Sequence, residues 1–209
     1  GEDGASQMGL EDIAMMRALI NSTVLSPADA VSAEKLTAAA AGNRHITYIR
    51  TIRGKTPVIY SPDEEFPLGG SKVLKRSDGD KAAVAATGIT VSEALEAAEE
   101  LEKRNIPVRI IDCYSVKPID GKTLAEAAGE TGILVTVEDH YPEGGLGEAV
   151  GAAVAERLSQ NGTTPAHYTL INLAVRKRPH SGKAEELLRE QGIDAKGIVE
   201  AVTGALRET

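Results

Sequence analysis

The sequence contains no tryptophan, and aromatic residues make up only 3% of it. That excludes a nucleic-acid surface built on aromatic stacking platforms. A single cysteine, Cys113, rules out an internal disulfide framework and fits a reducing compartment. Positive charge is also short: the formal net charge is −8, which repels a phosphate backbone or an anionic membrane at long range. No apolar run approaches the length of a bilayer span, and no signal-peptide pattern is recognisable. Gly-x-Gly-x-x-Gly, Walker and Gly-x-Ser-x-Gly motifs are missing. His45, His167 and His180 have no partners at metal-ligand spacing. These absences leave a cytoplasmic enzyme or enzyme subunit as the expectation, with no nucleic acid and no membrane among its partners.

The 209 residues are 42% hydrophobic and 26% charged, enough for one large domain or two modest ones with a core of Ala, Val, Ile and Leu. Apolar periodicity predicts helices over 8–19 and 31–41 and strands over 23–26 and 46–50. Residues 55–70 carry three prolines, acidic residues and a Gly-Gly pair, and read as an extended linker. Beyond it, strands are expected over 71–76, 81–87, 108–113, 133–137 and 168–173. Helices are expected over 91–103, 122–128, 146–158, 184–189 and 198–206. Ser77-Asp-Gly79 reads as a hairpin turn that makes the 71–76 strand an antiparallel edge. The alternation predicts an α/β fold, a mostly parallel sheet covered on both faces. A boundary is expected near 61–70. The first unit, with two strands and two helices, has too few elements to cover a parallel sheet and looks like half a domain.

Four stretches carry candidate chemistry. Gly1-Glu-Asp-Gly4, followed by Gln7, suits a ligand loop at the carboxyl end of a strand, with Asp3 accepting from hydroxyls and Gln7 both donating and accepting. The same residues also suit simple capping of the next helix. Arg50 and Arg53 after the second strand can grip a phosphate through their guanidinium forks, or pair with surface carboxylates. Glu138-Asp-His140 ends a strand before a Gly-rich turn. Side chains alternate faces there, so the three cannot converge on one ion, and Glu143 and Glu148 oppose an anion at the turn. A structural or interface role is favoured. Arg176-Lys-Arg178-Pro-His-Ser-Gly-Lys183 is basic and can hold an acidic segment or be a solvated loop, and Cys113 reads as a core thiol.

Taken in order, GEDGASQMGLEDIAMMRAL, TVLSPADAVSAEKL, YIRTIRGKTPVIY, VEDHYPEGGLGEAV and VRKRPHSGKAEELLREQGID resemble the C-terminal third of a transketolase. The resemblance covers essentially the whole chain. It implies a partial parallel-sheet pyrimidine-binding domain over 1–65, including the start of the linker. A three-layer α/β/α C-terminal domain then follows over 66–209, mostly parallel with one antiparallel edge strand. It further implies transfer of a two-carbon ketol unit between ketose and aldose phosphates, within pentose phosphate metabolism. Thiamine diphosphate and Mg2+ or Ca2+ would be held mainly by an N-terminal portion and a partner subunit. Asp3 is expected to contact a donor-sugar hydroxyl, Gln7 the cofactor's aminopyrimidine, and Arg53 the sugar phosphate. No catalytic residue and no metal ligand is expected in this chain. The Gly-Asp-Gly cation motif and the activating Glu of the family do not occur in it, so the chain alone is expected to be inert, and a homodimer completed by the N-terminal portion is the expected assembly. The chain departs from the family pattern at Ala5, where Pro is usual, and at Ile52-Arg53-Gly54, where Ser-Arg-Pro is commoner. A non-catalytic docking module, a deoxyxylulose-phosphate synthase or a 2-oxoacid dehydrogenase β subunit are the alternatives.

Overall fold

The computed structural model describes residues 4, 7–160 and 167–208. The second half is built on β4 (Ala82–Ala86), β5 (Val108–Asp112), β7 (Ile133–Val137) and β8 (Thr169–Leu173), all parallel, with β3 (Lys72–Lys75) antiparallel at one edge. The order is β3-β5-β4-β7-β8. Every residue of β4, β5 and β7 is buried, because helices cover both faces. Ala82, Val84 and Ala86 pack toward α3 (Thr90–Lys103) and α7 (Ala195–Glu208), in a cluster that also takes Leu188 of α6 (Ala184–Gln191). Ala83 and Ala85 face the opposite layer, α4 (Gly121–Thr131) and α5 (Leu146–Gln160). Alanine at four of the five β4 positions lets both helix layers come close to the central strand. This is the three-layer α/β/α arrangement expected.

The expected hairpin does not form. β3 is the antiparallel edge, but it pairs with β5, Lys72 opposite Asp112, while β4 lies on the far side of β5. Ser77-Asp-Gly79 turns the chain, and the parallel pairing of β4 with β5 takes the position a hairpin partner would occupy.

The first half contains α1 (Asp12–Ala18), β1 (Ser22–Leu25), α2 (Ala30–Ala41) and β2 (Ile46–Ile49). Asp29 and Ser32 close a reciprocal capping box on α2. β1 and β2 are parallel, and a third strand, β6 (Ser115–Lys117), pairs antiparallel with β1. No signal in the sequence announced β6. It comes directly after β5, so a strand from the second half completes the sheet of the first. Five of the six exposed large hydrophobics, Met15, Leu19, Ile20, Ile46 and Val58, fall in the first half.

The linker has no regular elements, as expected, yet it is firmly held. Asp29 accepts from the backbone N–H groups of Ile59 and Tyr60, at 2.8 and 3.0 Å. Phe66 packs edge-on against Tyr60 and Tyr114, and the Tyr114 hydroxyl donates to the Pro67 carbonyl. The Tyr60 hydroxyl donates to Asp112 at 2.5 Å. Asp112 is fully buried, its Oδ1 has no partner, and burial pushes its carboxyl up to about 7.

A folded-state value above the unfolded one means the native state holds this proton longer than the unfolded chain does. The stability it contributes is therefore complete below about pH 4 and lost as pH rises toward about 7, at up to ~1.4 kcal/mol per pH unit. Asp112→Asn should flatten that decline while keeping an acceptor for Tyr60. Urea midpoints measured from pH 4 to 8 check this, and an unchanged slope in the variant would refute it.

Candidate functional site

The carboxyl ends of β1 and β2 lie at one edge of their parallel pair, the position where ligands bind in open sheets. The segment before α1 forms a strap there. Gln7 sits in a single tight turn, its backbone N–H donating to the Gly4 carbonyl at 3.0 Å, and its side chain is exposed. α1 begins only at Asp12, and its N-cap Glu11 makes no side-chain capping bond. Gln7 does not occupy the N-cap position of α1. Asp3 lies outside the described residues.

The two arginines after β2 have different environments. Arg50 is a clasp: its Nη1 donates to the Asp139 carbonyl at 2.6 Å, its Nη2 to the Gly9 carbonyl at 2.5 Å, and its Nε pairs with Asp12 at 3.1 Å. Tyr48 donates to the same Asp12 oxygen at 2.6 Å. The surface-pairing reading holds for Arg50. Three residues further, Arg53 is exposed on the loop leaving β2, which makes it the candidate for a phosphate.

Glu138 and His140 are buried and belong to the framework, as favoured from the sequence. One Glu138 oxygen accepts from Leu146 N at 2.5 Å and the other from Gly147 N at 3.0 Å. The N-terminus of α5 is thus filled by a carboxylate of the same chain, which excludes a phosphate there. Burial raises Glu138 to about 7 against the lowering effect of these two N–H donors. His140 donates from Nδ1 to the Tyr141 carbonyl and accepts at Nε2 from Ala14 N, while burial lowers its pKa. It is a neutral imidazole fixed between α1 and the strand end.

The same loop seats the strap. Tyr141 N donates to the Leu10 carbonyl at 3.0 Å, and Arg17 of α1 donates to the carbonyls of Gly144 and Gly145. Arg17 and Tyr141 carried no sequence signal, because their partners are backbone carbonyls more than a hundred residues away.

In the larger sheet, the usual ligand crevice lies between β4 and β7, where the direction of the connections reverses. Here it is filled. Thr90 Oγ1 donates to the Val137 carbonyl, Thr87 Oγ1 to the Cys113 carbonyl, and a Cβ on Gly88 would lie 2.8 Å from Ser26 Oγ. A cleft of about 530 Å3 beside α3, α6 and α7 is lined by Glu93, Glu96, Glu185 and Asp194 against Arg189 and Lys196, which disfavours a phosphate. No group of three or more His, Cys, Asp or Glu side chains suited to a metal occurs among the described residues. They do not fit the cation that the family resemblance implies.

Gly145 has no space for a side chain: an added Cβ would lie 2.0 Å from the Glu138 carboxylate. Gly145→Ala should displace the α5 cap and cost roughly 2 kcal/mol. Denaturant unfolding reads the loss, and faster amide exchange at Tyr141 and Ala14, whose N–H groups donate to Leu10 and His140, should accompany it; stability equal to the parent would count against the seat described.

The profile described as the transketolase pyrimidine binding domain matches residues 1–58, and that of the transketolase C-terminal domain matches 71–198. Transketolase-like protein 1 of Macaca fascicularis is 49% identical over 203 residues, 97% of this chain and 33% of its own length. Transketolase of Homo sapiens is 45% identical over 207 residues, 99% of this chain and 32% of its own. The chain thus spans about a third of the length of the curated relatives it matches. Among solved structures, a split gene transketolase, described as an inactive beta4 tetramer, is 38% identical with a TM-score of 0.83, covering 97% of this chain and 63% of that one. A transketolase from Campylobacter jejuni shares the fold, with a TM-score of 0.72 at 21% identity, over 98% of this chain and 29% of that one. With two adjoining family profiles together spanning most of its length, this chain belongs to the transketolase family.

Proposed function

We propose that this chain is the part of a thiamine-diphosphate-dependent transketolase that supplies the latter portion of the pyrimidine-binding domain, residues 1–65, and the C-terminal domain, residues 66–209. The enzyme transfers a two-carbon ketol unit between ketose and aldose phosphates. The observation that carries this reading is the placement of two arginines after β2: Arg50 is tied to the framework at the carboxyl end of the strand, and Arg53, three residues on, is exposed on the loop that leaves it.

In this reading Arg53 binds the sugar phosphate through its guanidinium fork. Asp3 accepts a hydrogen bond from a donor-sugar hydroxyl, and Gln7 orients the aminopyrimidine by hydrogen bonding. An amide has no accessible ionisation, so Gln7 holds the ring and moves no proton. Thiamine diphosphate, when bound, supplies the nucleophilic carbon that accepts the ketol unit. In this reading the Mg2+ or Ca2+ and the diphosphate are held mainly by sequence outside this chain's third of the enzyme and by a partner subunit. The enzyme would be a cytoplasmic homodimer completed by the remaining N-terminal portion; among the described residues no helix is long and apolar enough to cross a membrane. The exposed Met15, Leu19, Ile20 and Ile46 are suited to burial against that portion. Alone, the chain should be inert, a reading supported by the inactive state named for the split-gene relative.

In the completed enzyme, Arg53→Ala should reduce kcat/KM for phosphorylated sugars by about 10- to 100-fold and leave unphosphorylated ones nearly unchanged. Equal losses for both would remove the phosphate role. Asp3→Ala should erode discrimination between donors that differ in one hydroxyl configuration, read as a ratio of kcat/KM values; a preserved ratio would take Asp3 out of the site.

A further inference from the structure

The basic segment 176–183 has no part in the function so far. It leaves β8 and leads into α6, carrying Arg176, Lys177, Arg178, His180 and Lys183 and no acidic residue, in a chain of net charge −8. It is anchored at several points. Val175 N donates to the His140 carbonyl at 2.9 Å, and Gln191 Oε1 accepts from the N–H groups of Arg176 and Lys177 at 3.2 and 3.0 Å. Pro179 is buried. His180 pairs with Glu190 at 2.8 Å, and Arg176 donates to the Asn172 carbonyl. Lys177, Arg178 and Lys183 are exposed and enter no ion pair among the described residues.

The segment also lies against the strap. Gly4 is buried, with φ +81°, and a Cβ there would lie 2.9 Å from Ser181 Oγ and 3.5 Å from Ser181 N. The next residue back in the chain is Asp3. At its other end the strap is held by Arg50 at Gly9, three residues before Arg53. The C-terminal domain thus brings the exposed Lys177, Arg178 and Lys183, which enter no ion pair among the described residues, on an anchored segment that meets the strap at Gly4.

We propose that segment 176–183 is an electrostatic rim of the substrate site, in which Lys177, Arg178 and Lys183 attract the phosphate dianion of the sugar substrate toward Arg53. This rests on the transketolase reading above and extends it: the C-terminal domain becomes a contributor to substrate capture. The contribution is to encounter. A cationic rim on an otherwise acidic protein raises the local concentration of a dianion and speeds association, with a strong dependence on ionic strength. It stabilises bound substrate and transition state alike, so it acts on kcat/KM and leaves kcat alone.

The test uses the completed enzyme carrying Lys177→Gln with Arg178→Gln, assayed with a phosphorylated aldose and with its unphosphorylated counterpart at low and high ionic strength. For the phosphorylated aldose, kcat/KM should fall about fivefold at low salt and approach the parent at high salt, with kcat unchanged. The unphosphorylated aldose should be unaffected. A control, Lys103→Gln with Lys122→Gln on α3 and α4, removes the same charge elsewhere and should leave all four measurements near the parent. Equal loss for both aldoses, or a loss independent of salt, overturns the rim. So does a change confined to assembly with the N-terminal portion, read by sedimentation, which would make the segment a dock for an acidic chain. Arg53→Ala is assayed in parallel. If it discriminates between the aldoses and the loop variant does not, the rim alone fails; if neither discriminates, the phosphate reading fails with it.

Discussion

One guanidinium ties together the parts of this molecule that matter for binding. Arg50 extends from the end of β2, and its N–H groups reach the strap at Gly9, the first residue of α1 at Asp12 and the turn after β7 at Asp139. Its own backbone N–H continues the sheet by donating to the Leu25 carbonyl. A planar fork with five donors can serve three segments at once, whereas a lysine ammonium in the same place would be a point charge on a flexible stem. This side chain joins the strap at Gly9 to α1 and to the turn after β7. The strap is held through backbone groups, the carbonyls of Gly4, Gly9 and Leu10 and the N–H of Gln7.

The Gly-rich turn after β7 completes the clamp from the other half of the chain. It resembles an anion cradle, yet its N–H groups are already satisfied by Glu138, and its carbonyls by Arg17. The glycines are there for closeness: side chains at Gly145 and Gly147 would collide with Glu138 and Asn172. An internal carboxylate at a helix N-terminus does locally what a bound phosphate would do. The turn is therefore a permanent part of the seat for α1, and the equivalent crevice of the larger sheet is closed by threonines.

Much of the architecture was legible in the residues, and what was not has a common cause. β4, β5 and β7 stand out because strands buried on both faces read as continuous apolar runs. β6 is Ser-Val-Lys, three residues without a period, and becomes a strand only because β1 offers a free edge. The supposed hairpin followed a real turn signal, but partner choice is decided by the parallel crossovers and not by the turn. Arg50 and Arg53 look equivalent in Tyr-Ile-Arg-Thr-Ile-Arg. What marks Arg50 as structural is its set of partners, Gly9, Asp12 and Asp139, the last of them in the turn after a distant strand. Local pattern reports elements well. It is silent on long-range partners, and those made Arg50 part of the framework.

The two family domains are therefore not two mechanical units. After β5, the chain runs through Cys113 and Tyr114 into β6, so the sheet of the first half includes a segment of the second. Tyr114 then packs on Phe66 of the linker, and Asp112 receives the hydroxyl of Tyr60. Pulling the halves apart would strip β1 of a neighbour, expose three aromatic rings and leave the Asp112 carboxyl without its partner. Residues that order the strap, Arg50 from one half and Tyr141 from the other, would lose their targets in the same event. The carboxyl edge that carries Gln7 and Arg53 exists only while both halves are docked. That dependence ties the candidate site to the C-terminal domain, although the larger sheet's own crevice is shut.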